Sequence, residues 1–235
     1  MKKILLTLIT LISLSHAENV YAIFNVVAAK DAKLAFIASG IVENVNVSIG
    51  SEVKKGAVLA TLANDDIKAM LASAQTTLKY AKRNLDRQEK IKKLIDEGKF
   101  DQIVSAYEKA KDAVAYQKAL YAKTFLKAPF DGVIYDKAIE IGDAVSGMIL
   151  KTVFKIQSLH ARKLILEFDQ KYNRLVKPGK IFEYTIDGDP KTYKGVISKV
   201  YPYANFNNRK IRAEVEAKNI TVGLFGDGYI LTDER

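Results

Sequence analysis

A short stretch that occurs twice limits this chain more than any other feature. The first copy runs Gly40-Ile41-Val42, then Val47-Ser48-Ile49-Gly50, then Val53. The second runs Gly132-Val133-Ile134, then Ile139-Glu140-Ile141-Gly142, then Val145, with Gly40 and Gly132 ninety-two positions apart. An internal repeat is read first, because it decides the architecture. Apolar residues alternate at Val45, Val47 and Ile49 and at Ile139 and Ile141, the pattern of strands buried on one face. A glycine closes each unit at Gly50 and Gly142, where the backbone must turn and only Gly takes a positive φ freely. Neither copy is long enough to bury a core. The two halves are expected to pack on each other as one small β sandwich, and the residues between them must leave it and return.

Those intervening residues change period. Asn64-Asp65-Asp66 offers a cap for a helix start. Ile67, Leu71, Ala74, Leu78, Ala81, Leu85 and Gln88 then step by alternate fours and threes, a heptad seam. The stretch Glu97-Gly98-Lys99-Phe100-Asp101 is expected to break the helix, with Gly98 closing it and Asp101 capping the next. A second seam follows at Ile103, Tyr107, Ala110, Val114, Gln117, Tyr121 and Thr124. Two such seams around one break predict an antiparallel helical hairpin. Its helices are roughly 25–30 residues, and the rod about 40 Å long at 1.5 Å per residue. Tyr80, Tyr107, Tyr116 and Tyr121 add apolar surface beyond a two-helix seam. Ala110 is expected on a face that a neighbouring copy would cover.

The flanks read as strands. Val20 to Ala29 and Leu34 to Ala38 are apolar runs, and Met148 to Ile156 completes the second half of the sandwich. Beyond Leu159, strands are expected at 163–168, 181–186, 192–200, 211–217 and 228–232. Asp169 caps a short helix, and turns fall at Lys177-Pro178-Gly179-Lys180 and Asp187-Gly188-Asp189-Pro190. Short strands with one short helix suggest a small β barrel. At the other end, Met1-Lys2-Lys3, the apolar run Ile4 to Leu14 and Ser15-His16-Ala17 make a secretory leader cleaved after Ala17. That run is about 11 residues, short of the roughly 20 that a membrane span needs.

Composition removes several classes of function. The chain has no cysteine, which excludes disulfides, thiolate metal sites, Cys nucleophiles and a lipidated N-terminal Cys. Without the leader its net charge of +10 loses Lys2 and Lys3. The remaining excess either solvates the long helices or points to an anionic membrane surface or an acidic partner rather than nucleic acid. Met70, Met148 and His160 lie in different segments, so no soft-metal relay is read. No phosphate loop of the G-x4-G-K-[ST] type occurs, no nucleophile motif accompanies His160, and no catalytic residue, cofactor or metal ligand is assigned.

With these segments in order, the chain resembles the periplasmic adaptor proteins, or membrane fusion proteins, of tripartite efflux pumps. Leu34 to Leu62 looks like the first lipoyl half. Leu126-Lys127-Ala128-Pro129-Phe130-Asp131-Gly132-Val133-Ile134, continued by Gly142-Asp143 and Val145, looks like the second, whose family core is A-P-F-D-G-x-[IV]. Val176-Lys177-Pro178-Gly179 and Tyr193 to Val200 look like the adaptor barrel. The resemblance implies a mixed, mainly β fold with an α-helical coiled-coil hairpin. It has a leader at 1–17 and a split lipoyl (barrel-sandwich hybrid) domain at 34–64 and 125–158. The hairpin is inserted at 65–124, and a small β-barrel uses 18–33 and 159–235, with the membrane-proximal domain minimal or absent. Gly40, Gly50, Pro129, Asp131, Gly132 and Gly142 are its structural lipoyl turns.

The resemblance also implies partners. These are an RND-type inner-membrane transporter, an outer-membrane efflux channel and copies of the chain itself, hexameric in the assembled pump. The protein would sit in the periplasm against the inner membrane, exported by its leader and not a lipoprotein. In RND-type adaptors the hairpin tip reads R-x3-L-x6-S. At that register stand Lys90, Leu94 and Asp101: lysine keeps the charge without the bidentate fork, and aspartate keeps an acceptor without a donor. An ABC-type exporter or type I secretion system is the alternative partner. A metal-efflux adaptor and a biotin or lipoyl carrier rank behind it; the lysine-bearing hairpin of such carriers is replaced here by the helical insertion.

Overall fold

The structure, a computed structural model, describes residues 19–232. The leader read at 1–17 and the last three residues lie outside them. Two compact units divide the chain. Among the described residues, one is 19–29 together with 160–232, and the other is Lys30–Leu159.

The first strand, β1 (Val20–Ala28), belongs to the first unit. The second unit opens with β2 (Asp31–Leu34), β3 (Gly40–Val45), β4 (Glu52–Val53) and β5 (Val58–Leu62). Two helices follow, α1 (Asp65–Glu89) and α2 (Glu97–Ala122). The unit closes with β6 (Phe125–Lys127), β7 (Gly132–Lys137), β8 (Ala144–Val145) and β9 (Phe154–Ser158). The first unit then resumes with β10 (Ala161–Asp169), β11 (Ile181–Ile186), β12 (Asp189–Ala204), β13 (Lys210–Lys218) and β14 (Phe225–Ile230).

In the second unit the strands form two four-stranded sheets, ordered β2-β9-β7-β4 and β6-β5-β3-β8. Each sheet takes strands from both copies of the repeat, and that exchange joins the halves. Phe36, Val42, Leu59, Leu62, Ile134, Ile139, Phe154 and Ile156 form the shared core. The repeat is also visible in the backbone. Gly50 N–H donates to Ile134 O at 2.7 Å, and its equivalent Gly142 N–H donates to Val42 O at 2.9 Å. Ile134 N–H donates to Ser51 O at 3.0 Å, and Val42 N–H to Asp143 O at 2.9 Å. Gly50 and Gly142 hold φ of +87° and +92°, the left-handed conformation that favours glycine.

Several expected strand limits move. The strand read at 34–38 lies earlier, because Asp31 to Leu34 pair with Gln157 to Phe154; residues 31–33 therefore belong to the sandwich rather than the barrel. The alternating runs at 45–49 and 139–141 are not continuous strands. β3 ends at Val45, Ile139 is buried, and Ile49 and Ile141 are exposed. Each sits just before a glycine whose backbone is committed to the other half, so the chain turns there instead of pairing on. Met148, Ile149 and Leu150 are exposed, and strand structure resumes only at Phe154. Gly40 and Gly132 open strands rather than make turns.

In the first unit β1-β10-β13-β12-β11-β14 close into a barrel, which leaves no sheet edge open to pairing with other chains. Alternation fills it: Val20, Ala22, Phe24 and Val26 of β1 point in, with Leu164, Leu166 and Phe168 of β10 and Phe182 and Tyr184 of β11. The segment after β10 crosses one end. Asp169 Oδ1 accepts from Lys171 N at 2.9 Å and starts a 3-10 turn over Gln170–Tyr172, one turn where a short helix was expected. Val176 drops from this segment into the core. On the outer wall Glu214 accepts from Lys163 Nζ at 2.8 Å and from Tyr201 Oη at 2.7 Å. The Lys163 bond foremost, with help from Tyr201, holds the Glu214 carboxyl below its usual range against the opposing effect of burial.

Candidate docking site at the helical tip

The two helices lie side by side and antiparallel. At the base, Asn64 Nδ2 donates to Thr124 Oγ1 at 3.1 Å. Midway, Lys82 Nζ stands 6.0 Å from the centre of the Tyr107 ring, and at the far end Lys92 Nζ stands 4.7 Å from that of Phe100. Both seams read from the sequence face inward. Leu85, Ala110 and Thr124 are the buried members and the others are half-buried. Ala110, 7% exposed, is packed within the chain rather than left open to a neighbour. Tyr80 and Tyr116 are exposed, while Tyr107 and Tyr121 are half-buried.

The helices have 25 and 26 residues, so each is about 38 Å long at 1.5 Å per residue. Their connection differs from the expected one. α1 ends at Glu89 with Lys90 at its C-cap, a 3-10 turn spans Lys92–Leu94, and Asp96 caps α2. Asp96 Oδ1 accepts from Lys99 N at 3.1 Å, the bond from cap to third helical position that satisfies a free N–H. Gly98 and Asp101 are therefore inside α2, neither a stop nor a cap. Asp96 stands at the end of an extended residue with helical residues behind it, and Asp101 would come too late to meet those first amides. At the other end, Asn64 occupies the N-cap of α1 without a capping bond. Its amide is taken by Thr124, which ties the two helix bases together.

The structure places Lys90 and Leu94 on the same turn, joined through Ile91 N–H to Gln88 O and Leu94 N–H to Ile91 O. Leu94 is 85% exposed, and the neighbouring Ile91 is exposed as well. Asp101 lies apart from them on the outer side of α2, lining a shallow groove with Gly98, Gln102, Ser105, Ala106 and Lys109. The helices' own ion pairs run along single helices, Lys82–Asp86 and Lys111–Glu108, so no bridge joins Asp101 to Lys90 among the described residues. Sequence reasoning missed Ile91 and the Lys92–Phe100 contact. It also passed over Asp96, although an Asp three residues before Lys99 at the head of the second seam was a readable cap. Leu94 is thus a large apolar side chain held outward on a tight turn, with Lys90, Lys92 and Lys93 next to it in the chain. Among the described residues no three or more His, Cys, Asp or Glu gather where they could hold a metal ion. His160 Nδ1 lies 3.0 Å from Asn219 Oδ1.

Pro129, Asp131 and Gly132 sit where the chain re-enters the sandwich. Asp131 Oδ1 accepts from Lys55 N at 2.7 Å, so the second half holds the turn of the first. A Cβ on Gly132 would stand 2.3 Å from Gln157 O. Gly132 is thus a point of backbone contact between β7 and β9.

A sandwich assembled from two separated halves, two helices inserted between them and a closed six-stranded barrel define a membrane fusion protein, the periplasmic adaptor class of efflux pumps. More narrowly, residues 30–157 match the CzcB-like barrel-sandwich hybrid domain, and the chain belongs to that family. It is 30% identical over 216 residues to the cobalt-zinc-cadmium resistance protein CzcB of Cupriavidus metallidurans and 29% identical over 216 residues to the cation efflux system protein CzcB of an Alcaligenes species. Each alignment covers 80% of this chain and 41% of the relative, so the chain spans well under half of the curated relatives it matches. Among solved structures, a MacA-MexA chimera containing the Pseudomonas aeruginosa MexA α-hairpin domain superposes with a TM-score of 0.85 over 93% of this chain and 83% of that one, at 21% identity. No helix among the described residues is long and apolar enough to cross a membrane.

Proposed function

We propose that this protein is a periplasmic adaptor that connects an inner-membrane transporter of the RND type to an outer-membrane channel. Its helical hairpin makes the upper contact and its copies form a closed ring around the exit path. The observation that carries this reading is Leu94, exposed on the turn that ends two parallel-sided helices of about 38 Å. Leu94 and the exposed Ile91 beside it offer apolar surface for a partner to cover, and a family of adaptors supplies the kind of partner. Lys90 adds a positive charge on the same turn, and Asp101 a negative one farther along on α2. The half-buried seams and the exposed Tyr80 and Tyr116 leave helix surface for neighbouring copies. The protein works by positioning and sealing, and no residue is assigned a catalytic role.

The cargo is proposed to be divalent cations. The likeness to relatives named for cobalt, zinc and cadmium resistance favours this over organic compounds. Selection among cations then lies with the transporter, since adaptor residues in this reading only enclose the path. A photo-reactive residue at Leu94 in expressing cells tests the proposal. Capture of an outer-membrane channel, identified by mass spectrometry, is the expected result. Capture of soluble periplasmic proteins alone, from intact cells, would leave the tip without its docking role.

A further inference from the structure

One end of the barrel carries a basic, aromatic cap that the docking reading does not use. β10 ends there at Asp169 and β12 at Ala204, while β11 begins there at Ile181 and β13 at Lys210. Gln170 N–H donates to Arg209 O at 3.1 Å, and Lys180 Nζ donates to Thr232 O at 2.9 Å, which binds the two crossing loops and the last strand into one surface. The same end receives the start of β1, since Val20 pairs with Ile230. The loops at this end have a one-sided composition. Residues 169–181 contain Lys171, Arg174, Lys177 and Lys180 against the single acid Asp169; residues 201–211 contain Arg209 and Lys210 and no acid. The Lys171, Arg174, Lys177 and Arg209 side chains are exposed.

Large apolar groups project among these cations. Phe206, at the tip of the β12–β13 connection, is 100% exposed, Tyr203 is 57% exposed and Leu175 42%. Phe206 stands between Asn205 and the Asn207-Asn208 pair, and nothing in the barrel packs against it. A fully exposed phenylalanine on a polar loop, backed by six cations against the one carboxylate of Asp169, has the chemistry of an interfacial anchor. Its ring enters the headgroup and acyl boundary while the cations meet lipid phosphates.

We infer that this end of the barrel rests on an anionic bilayer, with Phe206 inserted and Lys171, Arg174, Lys177 and Arg209 against the headgroups. The adaptor reading enters only in placing the chain beside a membrane, and vesicle binding and tip cross-linking can fail independently of each other. An acidic protein surface is the competing occupant. It would be expected to meet Phe206 with a pocket, and a single ring on a polar loop suits a fluid surface better.

The chain has no tryptophan, so Phe206→Trp introduces a unique fluorophore at the proposed anchor. With vesicles of phosphatidylglycerol and phosphatidylethanolamine the full chain's emission should shift to the blue and be quenched by brominated acyl chains. Pure phosphatidylcholine vesicles should give a much smaller effect. Each cation near such a surface contributes roughly fivefold in partitioning, so Arg174→Glu with Lys177→Glu should weaken binding about a hundredfold or more. The same two reversals at Lys109 and Lys118 on α2, which change net charge equally, should leave most of the binding intact. An emission spectrum indifferent to phosphatidylglycerol vesicles would overturn the assignment. So would equal losses from the two pairs of reversals. A response to polyglutamate with none to vesicles would transfer the surface to an acidic protein and end the lipid reading.

Discussion

Gly40 and Gly132 occupy the same position in the two copies of the repeat, and the structure gives them different consequences. At Gly40 an added Cβ meets the side chain of Leu62 at 3.4 Å, an ordinary contact. At Gly132 it meets the backbone oxygen of Gln157 at 2.3 Å and Ile156 Cγ1 at 3.0 Å. The oxygen cannot move alone, because Gly132 pairs with Ser158 and Val133 with Gln157 in the β7–β9 ladder. Gly132→Ala must therefore push the strands apart by about 1 Å, an overpacking cost of about 1–3 kcal/mol. A distorted or lost ladder bond adds about 1 kcal/mol. The sum of about 3 kcal/mol is roughly a 150-fold rise in the unfolding constant. Gly40→Ala removes backbone freedom from the unfolded chain and should change stability by less than about 1 kcal/mol in either direction. Urea unfolding followed by far-UV circular dichroism, with the transition of the sandwich unit fitted by itself, measures both. Equal midpoints for the two variants would refute the reasoning, because it rests on the contact and not on the residue type.

Asp96 and Asp101 separate structure from docking. Asp96→Ala should lower helix stability by about 1 kcal/mol through the lost cap, read as lower helicity and a lower midpoint, whereas Asp101→Ala should leave both unchanged and alter only capture of the channel in the Leu94 cross-link. Glu214 gives an acid signature. Its folded pKa lies below the ordinary 4.5, so its contribution is present above about 4.5 and fades as pH falls towards the depressed folded value. Glu214→Gln should flatten that part of the acid unfolding curve, and an unchanged curve would show that the Lys163–Glu214 pair does not couple to folding. Leu94→Asn should abolish channel capture by a photo-reactive residue placed at the neighbouring exposed Ile91, without shifting the unfolding midpoint, since an exposed side chain on a turn holds nothing else in place.

Much of the architecture was legible before any coordinates, and for identifiable reasons. The repeat carried the sandwich, because two alternating apolar stretches of that length have no other partner in the chain. The seams carried the helices, because period and burial obey the same geometry, and each of their residues is turned inward. The site was less legible. Leu94 was placed at the tip by the register of the resemblance and is exposed on the turn, but the cap was read at Asp101 instead of Asp96; several residues near a helix start can each cap it, and only the path of the turn selects one. The barrel cap around Phe206 left no local pattern at all, because its two loops are some thirty residues apart.

The sequence by itself therefore determined which segments are strands or helices and that two distant halves must join. Those properties follow from side-chain period and from the need to bury apolar surface. Only the tertiary structure decided which of two equivalent glycines is indispensable, where Ala110 points and which cations share a surface. Each of these depends on what lies across from a residue. A backbone oxygen against Gly132, a facing helix against Ala110 and a neighbouring loop beside Arg209 are set by strand exchange between the halves, by the pairing of the two helices and by closure of the barrel, which bring together residues that no local rule connects.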